Sequence, residues 1–374
     1  MLRRLALMPL FIVLPFLTPI AQAKPPSGPM VFVLLVNNHL EAVRGTTGAV
    51  ISDRVLAPAP APKWRAFRGY YLALSRDRKF LYALVLTQPP ARDQLAVVDV
   101  ATTRVERRYA LAGGIVFRSV AVGPVSGRIY LFGNRAGNVV VTVLDPRTGA
   151  ALSTRTVRRG HGARWVIYRG LVWSNERELF INYWRGGGIG IDAVSLPSGR
   201  LHGCRTLQVG CFASEGLNIE QYGIRLVVES QTARHAFVEL SANGDLYKTI
   251  PIHMTGDPHT GDWDIDRTTG RLYQVGSCGY TGGLAVLDLK TGSSRMLDPP
   301  GTPGAGVPVT GNNDRTVCGE RISAGSRSLV VIGKTEYVYP VLQHKAVLLL
   351  VNGRTGKVLH RVRTSTDPMD LITS

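Results

Sequence analysis

A short pattern of an aromatic residue, an arginine and a small residue occurs three times in the chain. The copies are Phe67-Arg68-Gly69, Phe117-Arg118-Ser119 and Tyr168-Arg169-Gly170. Their arginines are 50 and 51 positions apart (118−68 and 169−118). Guanidinium groups that converge from repeated elements would suit a ligand carrying a carboxylate or a phosphate. The regular spacing indicates that each arginine belongs to one copy of a repeated structural element.

Acidic candidates are concentrated between residues 253 and 266, where two histidines and four aspartates occur. Side chains alternate along a strand, so Asp262 and Asp264 should share one face. Two such carboxylates could bind Ca²⁺ or Mg²⁺, which prefer oxygen ligands. Alternatively, one could act as a general base, with its pKa raised by its neighbour. Asp266 is expected only to cap the turn at 266–270.

Cysteine usage favours an oxidising compartment over a thiolate metal site. Four cysteines are present, and an even number in an exported chain suggests two disulfides. Three pairings exist, and proximity favours Cys204 with Cys211 and Cys278 with Cys318. CxxC and Cys/His zinc spacings are absent, as are the GxSxG, HExxH, P-loop and CxxCH motifs.

The N-terminal 23 residues have the pattern of a cleaved secretory signal. Arg3 and Arg4 precede an apolar run from 5 to 20, and Ala21-Gln22-Ala23 is an A-x-A cleavage site. A membrane anchor is the alternative, but three prolines interrupt a run that is short for a span. We expect export to the periplasm or the cell exterior, with residues 24–374 as one domain and no transmembrane anchor.

The net charge of +18 favours acidic partners. Only 8 of the 44 basic residues are lysines, so 36 are arginines, and an arginine-rich proteome would explain this bias equally well. Nucleic acid would fit the charge, but an exported protein seldom meets it. An acidic small molecule, an acidic polysaccharide or an acidic protein is the expected partner.

Three features recur about every fifty residues, which is typical of a repeat architecture. The first is a turn that usually ends in Thr-Gly, at 44–48, 99–103, 145–149, 195–199, 241–244, 288–292 and 352–356. The second is an apolar strand, at 31–36, 80–86, 128–132, 178–183, 224–228, 271–275 and 328–332. The third is the strand preceding it, at 70–74, 120–122, 171–173, 217–219, 262–265, 320–323 and 370–373.

The strand at each end of the chain lacks a partner strand, and the strand at the other end could supply it. The first copy of the apolar strand has no preceding strand, and the last preceding strand, at 370–373, has no successor. Pairing these two strands would close a ring and remove exposed sheet edges. The sequence therefore predicts an all-β fold, a seven-bladed β-propeller of four-stranded antiparallel blades, with six or eight blades as alternatives.

Two repeats carry a family resemblance: GRIYLFGNRAGNVVVTVLDPRTG (127–149) and GRLYQVGSCGYTGGLAVLDLKTG (270–292). They resemble the YVTN-type repeats of secreted bacterial propellers, a group that includes lactonase-like propellers. The resemblance covers essentially the whole mature chain. It implies a propeller fold and, for the lactonase-like members, hydrolysis of a sugar lactone by polar residues at the channel mouth. The nearest equivalents here would be Arg118, Arg169, Glu215, Asp262 and Asp264.

The repeat places Arg68, Arg118 and Arg169 just before the innermost strands of three consecutive blades, with Glu215 in the fourth. The side chains are expected to converge at one mouth of the channel. Loops on that face should add arginines and aromatic residues. The ligand-binding candidates are Arg68, Arg118, Arg169, Trp64, Trp165, Arg135, Trp184 and Arg185.

Three functions remain open at this point. The first hypothesis is binding of an acidic ligand or acidic partner surface at the arginine-lined mouth, and the second is a lactonase-like hydrolase using Glu215, Asp262 and Asp264. The third is an interaction scaffold in which the arginines only bond neighbouring blades or pack on aromatic rings. Apart from the Ca²⁺ or Mg²⁺ alternative, the sequence indicates no cofactor.

Overall fold

The structure is a computed structural model. It describes residues 28–58, 69–87, 92–159, 165–185, 188–196, 201–202, 219–230, 236–240, 246–251, 262–276, 283–298, 321–325, 328–338 and 343–374. Within these residues, no helix has the length and apolar character needed to cross a membrane.

The regular structure consists of 28 strands in the described part of the chain. The first fifteen are β1 (Met30–Leu35), β2 (His39–Arg44), β3 (Val50–Val55), β4 (Leu72–Leu74), β5 (Phe80–Val85), β6 (Gln94–Asp99), β7 (Val105–Ala110), β8 (Val116–Val122), β9 (Ile129–Arg135), β10 (Asn138–Leu144), β11 (Ala151–Arg158), β12 (Trp165–Val172), β13 (Glu178–Arg185), β14 (Gly188–Ser195) and β15 (Leu201–His202). The others are β16 (Ile219–Tyr222), β17 (Arg225–Ser230), β18 (Ala236–Leu240), β19 (Leu246–Pro251), β20 (Trp263–Asp266), β21 (Arg271–Val275), β22 (Leu284–Asp288), β23 (Ser294–Asp298), β24 (Arg321–Ala324), β25 (Leu329–Val338), β26 (Gln343–Asn352), β27 (Val358–Arg363) and β28 (Pro368–Thr373).

These strands form an all-β propeller of antiparallel four-stranded blades, as the repeat predicts. Six sheets take four consecutive strands each: β4–β7, β8–β11, β12–β15, β16–β19, β20–β23 and β24–β27. The seventh sheet has the order β28-β1-β2-β3, because the last strand pairs antiparallel with the first. In this pairing Phe32 lies opposite Ile372 and Val33 opposite Leu371.

The first strand of every sheet lies innermost. Each contacts the first strands of its two neighbours, in the order β4, β8, β12, β16, β20, β24, β28 and again β4. The middle strands are almost fully buried, whereas the outermost strands β3, β7 and β11 are largely exposed. The core therefore lies between the faces of neighbouring sheets, which is why the middle strands read as continuous apolar runs.

The recurring aromatic–Arg–small pattern reflects close packing of the innermost strands. A Cβ added to Gly170 would lie 2.2 Å from the ring of Phe132 in the neighbouring blade. A Cβ on Gly69 would lie 2.4 Å from the carbonyl oxygen of Arg118. The buried Ser119 hydroxyl accepts a hydrogen bond of 3.0 Å from the Gly170 backbone N–H. Small residues are required here because the strands crowd together, as expected from the sequence.

The Thr-Gly turns that the structure describes join the third and fourth strands of their blades, whereas the predicted turn at 241–244 and most of the one at 195–199 lie outside the described residues. In the turn at 145–149, the Asp145 carboxylate accepts hydrogen bonds from the backbone N–H groups of Arg147 and Thr148. Gly149 closes the turn with a φ of +70°. In the turns at 288–292 and 352–356, the side-chain oxygens of Asp288 and Asn352 accept the equivalent pair of hydrogen bonds from backbone N–H groups. The repeated sequence pattern therefore encodes a turn that begins with an Asp or Asn side chain and ends with a residue at positive φ.

Side chains of several outermost strands join their blade to the next one. Arg107 donates to the carbonyl oxygen of Arg147 (2.8 Å), and Arg295 donates to that of Arg354 (2.7 Å). The imidazole of His360 bonds to the equivalent carbonyl oxygen of Thr46 (3.0 Å). Each acceptor lies two residues after the opening residue of a Thr-Gly turn. Several arginines therefore have a structural role, as expected from the hypothesis that arginines bond neighbouring blades.

Candidate functional site

The innermost strands enclose a cavity of about 600 Å³, which we call the channel cavity. Its deep part is lined by Tyr70, Arg169, Glu220, Asp264 and Asp370, each from a different blade. Its outer part is lined by the turns that follow the innermost strands, including Arg76, Arg78 and Arg267. Arginines therefore surround a mouth whose deeper wall carries carboxyl groups.

Glu220 is the centre of a buried ion-pair network. One of its carboxylate oxygens accepts a hydrogen bond from Arg169, and the other accepts one from Arg267 at 2.6 Å. Burial alone would raise the pKa of Glu220, but the two guanidinium groups outweigh it and lower the pKa. Glu220 is therefore a charged group that holds two arginines at the cavity wall.

Asp264 has different partners from Glu220. Its Oδ2 accepts a hydrogen bond from the Ala324 backbone N–H, and its Oδ1 accepts one from the Ile265 backbone N–H, both at 2.8 Å. Burial and the negative charge of Glu220 raise the pKa of Asp264 to about 7. A carboxyl group that titrates near neutral pH and lines a cavity is suited to general acid–base work.

Tyr70 lies across the deep end of the cavity. Its ring packs against two guanidinium groups, with the Cζ atoms of Arg169 and Arg321 at 4.2 and 5.2 Å from the ring centre. Its hydroxyl donates to Oδ1 of Asp262, which precedes β20 in another blade (3.0 Å). Burial and the charge of Asp262 raise the pKa of Tyr70, so the phenol stays neutral. Tyr70 thereby links three charged residues from three blades.

Asp370 joins the last strand to the β4–β7 blade. Its Oδ2 accepts hydrogen bonds from the backbone N–H groups of Tyr71 (2.6 Å) and Leu72 (2.8 Å). Burial raises the pKa of Asp370 to about 6, although the charge of Arg321 opposes the shift. This carboxyl group holds the inner end of the sheet that combines the two ends of the chain.

Among the predicted catalytic residues, Asp262 and Asp264 come together in this region. Asp262 is almost fully buried and is engaged by Tyr70, by the Trp263 backbone N–H and by Arg321 at 3.8 Å. Asp264 lines the channel cavity and Asp262 does not. Glu215 lies outside the described residues. Of the described pair, Asp264 is the one that a ligand in the cavity could reach.

Arg118 and Arg169 lie within the innermost strands, not just before them. The strands begin earlier than predicted, at Val116 and Trp165, because each contains a bulge at which the pairing register shifts. Counted back from Val122 and Val172, Arg169 is equivalent to Ser119 and not to Arg118. The buried Arg118 side chain interacts with the hydroxyl of Tyr71, whereas Arg169 lines the channel cavity. The sequence repeat alone could not reveal these bulges.

The other predicted ligand-binding residues are mostly outside the described part or at the opposite end of the blades. Arg135 is exposed at the end of β9, where the strand turns into β10. Trp165, Trp184 and Arg185 also lie at that end, in β12 and β13, but their side chains are not described. Residues outside the description are Trp64, Arg68, Cys204, Cys211, Cys278 and Cys318.

The channel cavity opens at the opposite face from the predicted one. Its outer lining is formed by the turns after the innermost strands, such as Ser75, Gly123, Ser174 and Thr268. We expected the mouth among the loops that precede these strands. Most of those loops lie outside the described residues, so the hypothesis of a site there stays a prediction.

Sequence reasoning missed Tyr70, Glu220, Arg267, Arg321 and Asp370. A usable signal was present, because the innermost strands carry a charged or phenolic side chain among apolar neighbours. Such a residue in a buried strand needs a partner, and its partners come from the other innermost strands around the axis. The repeat shows how many innermost strands there are and in what order they follow, but it does not show which polar side chains pair with each other.

A metal site finds limited support in the described residues. Among them, no group of three or more His, Cys, Asp or Glu side chains is arranged to hold a metal ion. The Asp262 and Asp264 oxygens accept hydrogen bonds from backbone N–H groups and from the Tyr70 hydroxyl. The Ca²⁺ or Mg²⁺ alternative stays a prediction.

Comparison with known proteins gives structural relatives without a family assignment. No family model matches the chain, and no curated protein matches it. A Bacteroides fragilis NCTC 9343 protein, proposed to be a 6-phosphogluconolactonase, matches with a TM-score of 0.58 at 10% identity over 94% of this chain and 100% of its own. A second protein proposed to have that activity, from Bacteroides uniformis ATCC 8492, gives 0.56 at 12% identity over 92% and 99%.

A redox protein has a similar structure. The dihydro-heme d1 dehydrogenase NirN, in complex with DHE, matches with a TM-score of 0.50 at 15% identity. The match covers 93% of this chain and 66% of NirN, so this chain spans just under two thirds of its length. At such identities these similarities support the propeller fold and assign no residue a role.

Proposed function

We propose that this propeller hydrolyses a small lactone in the channel cavity and that Asp264 is the general base. The observation that carries the proposal is the Asp264 carboxyl group, whose pKa is about 7, in the wall of a cavity of about 600 Å³. Asp264 stands beside a paired carboxylate, Glu220, which stays ionised. Environments that separate the pKa values of neighbouring carboxyl groups are typical of acid–base sites.

In the proposed reaction, the Asp264 carboxylate removes a proton from a water molecule, and the water oxygen attacks the lactone carbonyl carbon. The ring C–O bond then breaks, and the protonated Asp264 returns its proton to the leaving alkoxide. The product is an open hydroxy acid. Arg169 and Arg267 are the nearby cations for the oxyanion and for the product carboxylate. Their positions are fixed by Glu220, so little reorganisation is needed during the reaction.

Binding of an acidic ligand without turnover is the second candidate function. It is favoured by the arginines at the mouth of the cavity, Arg76, Arg78 and Arg267, of which Arg267 is 62% exposed. This is the acidic-ligand function expected from the sequence, with the site at the other face of the propeller. The two candidates differ only in whether Asp264 performs chemistry on the bound molecule.

The experiment that separates the candidates is a turnover assay on a panel of sugar lactones with Asp264→Asn. The proposal expects a loss of about 10²- to 10⁴-fold in kcat, since a general base contributes that much. Binding of the hydroxy-acid product should persist. Asp288→Asn, in an exposed turn far from the cavity, is the matched control. Product binding by the wild type with no lactone turnover would favour the second candidate.

We further propose that the seven four-stranded sheets form one closed ring around the channel. The support is the pairing of β1 with β28, together with the contacts of each innermost strand with both neighbours. We also propose that the protein is exported after removal of residues 1–23. N-terminal sequencing of the exported protein should then begin at Lys24, and an intact Met1 would contradict this.

A further inference from the structure

Exposed arginines follow the outermost strands over an arc of five neighbouring blades. We define an outer basic belt by six of them: Arg54 on β3, Arg107 and Arg108 on β7, Arg155 on β11, Arg295 on β23 and Arg363 on β27. Where side chains are described on these five strands, the exposed acidic residues are Asp53 and Glu106. Asp53 is bonded to His39 at 2.9 Å. The belt is therefore strongly positive.

Three members of the belt are already ordered by bonds within the protein. Arg107, Arg155 and Arg295 each donate to a backbone carbonyl of the next blade, at 2.8, 3.0 and 2.7 Å. Such a bond uses one of the five N–H donors of a guanidinium group and leaves the others for an outside acceptor. Because these side chains are held in place beforehand, binding an anion costs less conformational entropy.

We propose that the outer basic belt binds a linear acidic polysaccharide made of uronates. Guanidinium groups match carboxylates with paired hydrogen bonds, which suits a chain with one carboxylate per sugar. The belt follows a convex edge that crosses several blades, so its partner must be extended and able to bend. A flat membrane would touch one part of such an edge, and duplex nucleic acid is stiff over about 150 base pairs.

The belt and the channel cavity are separate features of the molecule. The belt lies on the outermost strands and the cavity lies between the innermost ones, with the two buried middle strands of each blade between them. The inference does not rest on the proposed hydrolase function. It gives some of the many arginines of the chain a binding role on the outermost strands, in addition to their structural hydrogen bonds.

The test measures binding of polygalacturonate, a linear polyuronate, to the full chain over NaCl concentrations from about 25 to 300 mM. The belt variant is Arg54→Gln/Arg108→Gln/Arg363→Gln, which removes three exposed charges from three adjacent blades and none of the carbonyl bonds described above. The control is Arg92→Gln/Arg128→Gln/Arg177→Gln, which removes three exposed charges that belong neither to the belt nor to the lining of the channel cavity. Both variants change the net charge equally.

The proposal expects the belt variant to bind about 10- to 100-fold more weakly at low salt, with a shallower dependence of log Kd on log salt. The control should bind within about threefold of the wild type. Equal losses in both variants would mean binding to diffuse charge and would overturn the proposal. A larger loss in the control than in the belt variant would place the polysaccharide away from the belt, and no binding by the wild type would equally refute the belt.

Discussion

Asp264 differs from Glu220 and Asp262 in the groups that stabilise its negative charge. Glu220 has two guanidinium partners and Asp262 has a phenol and Arg321, whereas the hydrogen bonds of Asp264 come from backbone N–H groups. Backbone N–H groups stabilise a carboxylate less than a full positive charge does, and Glu220 repels it. Asp264, whose pKa is raised to about 7, therefore lines the cavity.

Tyr70 gives the first prediction at the residue scale. Tyr70→Phe keeps the ring against Arg169 and Arg321 but removes the hydrogen bond to Asp262, so the free energy of unfolding should fall by about 1–3 kcal/mol. Tyr70→Leu also removes the cation–π contacts and should free Arg169 to move. We expect weaker binding of a hydroxy acid in the Leu variant only.

Chemical denaturation and calorimetric binding would check both Tyr70 variants. Arg169→Lys tests the same contact from the other side, because it keeps the positive charge and loses the flat guanidinium face. Equal ligand affinity in Tyr70→Leu and the wild type would show that the ring does not position Arg169.

Single residues were predicted from the sequence where strand alternation alone determines direction. Alternation predicted that Asp262 and Asp264 share one face toward the channel, but in the structure Asp264 lines the cavity, whereas Asp262 precedes β20 and is buried against Tyr70 and Arg321. Arg118 and Arg169 were aligned by their motif, and the structure separates them because each strand carries a bulge. A bulge depends on how neighbouring blades fit, and this information is spread over many residues.

At the scale of elements, β28 holds the first and last parts of the chain together. It pairs with β1, and its Asp370 accepts two backbone hydrogen bonds from residues 71 and 72 of the next blade. The repeats predicted this strand almost at its observed position. The role of Asp370 could not be predicted, because its partners belong to another blade.

The pH dependence of stability tests the role of Asp370. Its pKa is about 6 in the folded protein against an ordinary value of 3.8, so the folded state binds more protons between these values. Its contribution to the free energy of unfolding therefore falls as pH rises from about 4 to about 6. In Asp370→Asn this dependence is absent.

Urea denaturation from about pH 4 to about pH 7 should show the wild type losing about 1–3 kcal/mol relative to Asp370→Asn. Asp145→Asn is the matched control with the opposite sign. Its turn lowers the pKa of Asp145, so that contribution is lost as pH falls. A constant difference between wild type and Asp370→Asn across this range would contradict the assignment.

For the whole molecule, the sequence was most informative about repetition and least informative about the open face of the channel. Turn chemistry and apolar strands recur locally, so the four-stranded blades could be predicted. The open end of the channel is lined by turns from several blades, so no single repeat specifies it. Tyr70 spans the deep end between Arg169 and Arg321, a juxtaposition that no local pattern encodes.

The most direct test of the account is the pH dependence of kcat/KM for lactone hydrolysis by the wild type and Asp264→Asn. The base must be deprotonated in the free enzyme, so kcat/KM should rise with pH, level off above about pH 7 and lose this limb in the variant. A limb near pH 4, or one that persists unchanged in Asp264→Asn, would show that another group is the base and would contradict the account.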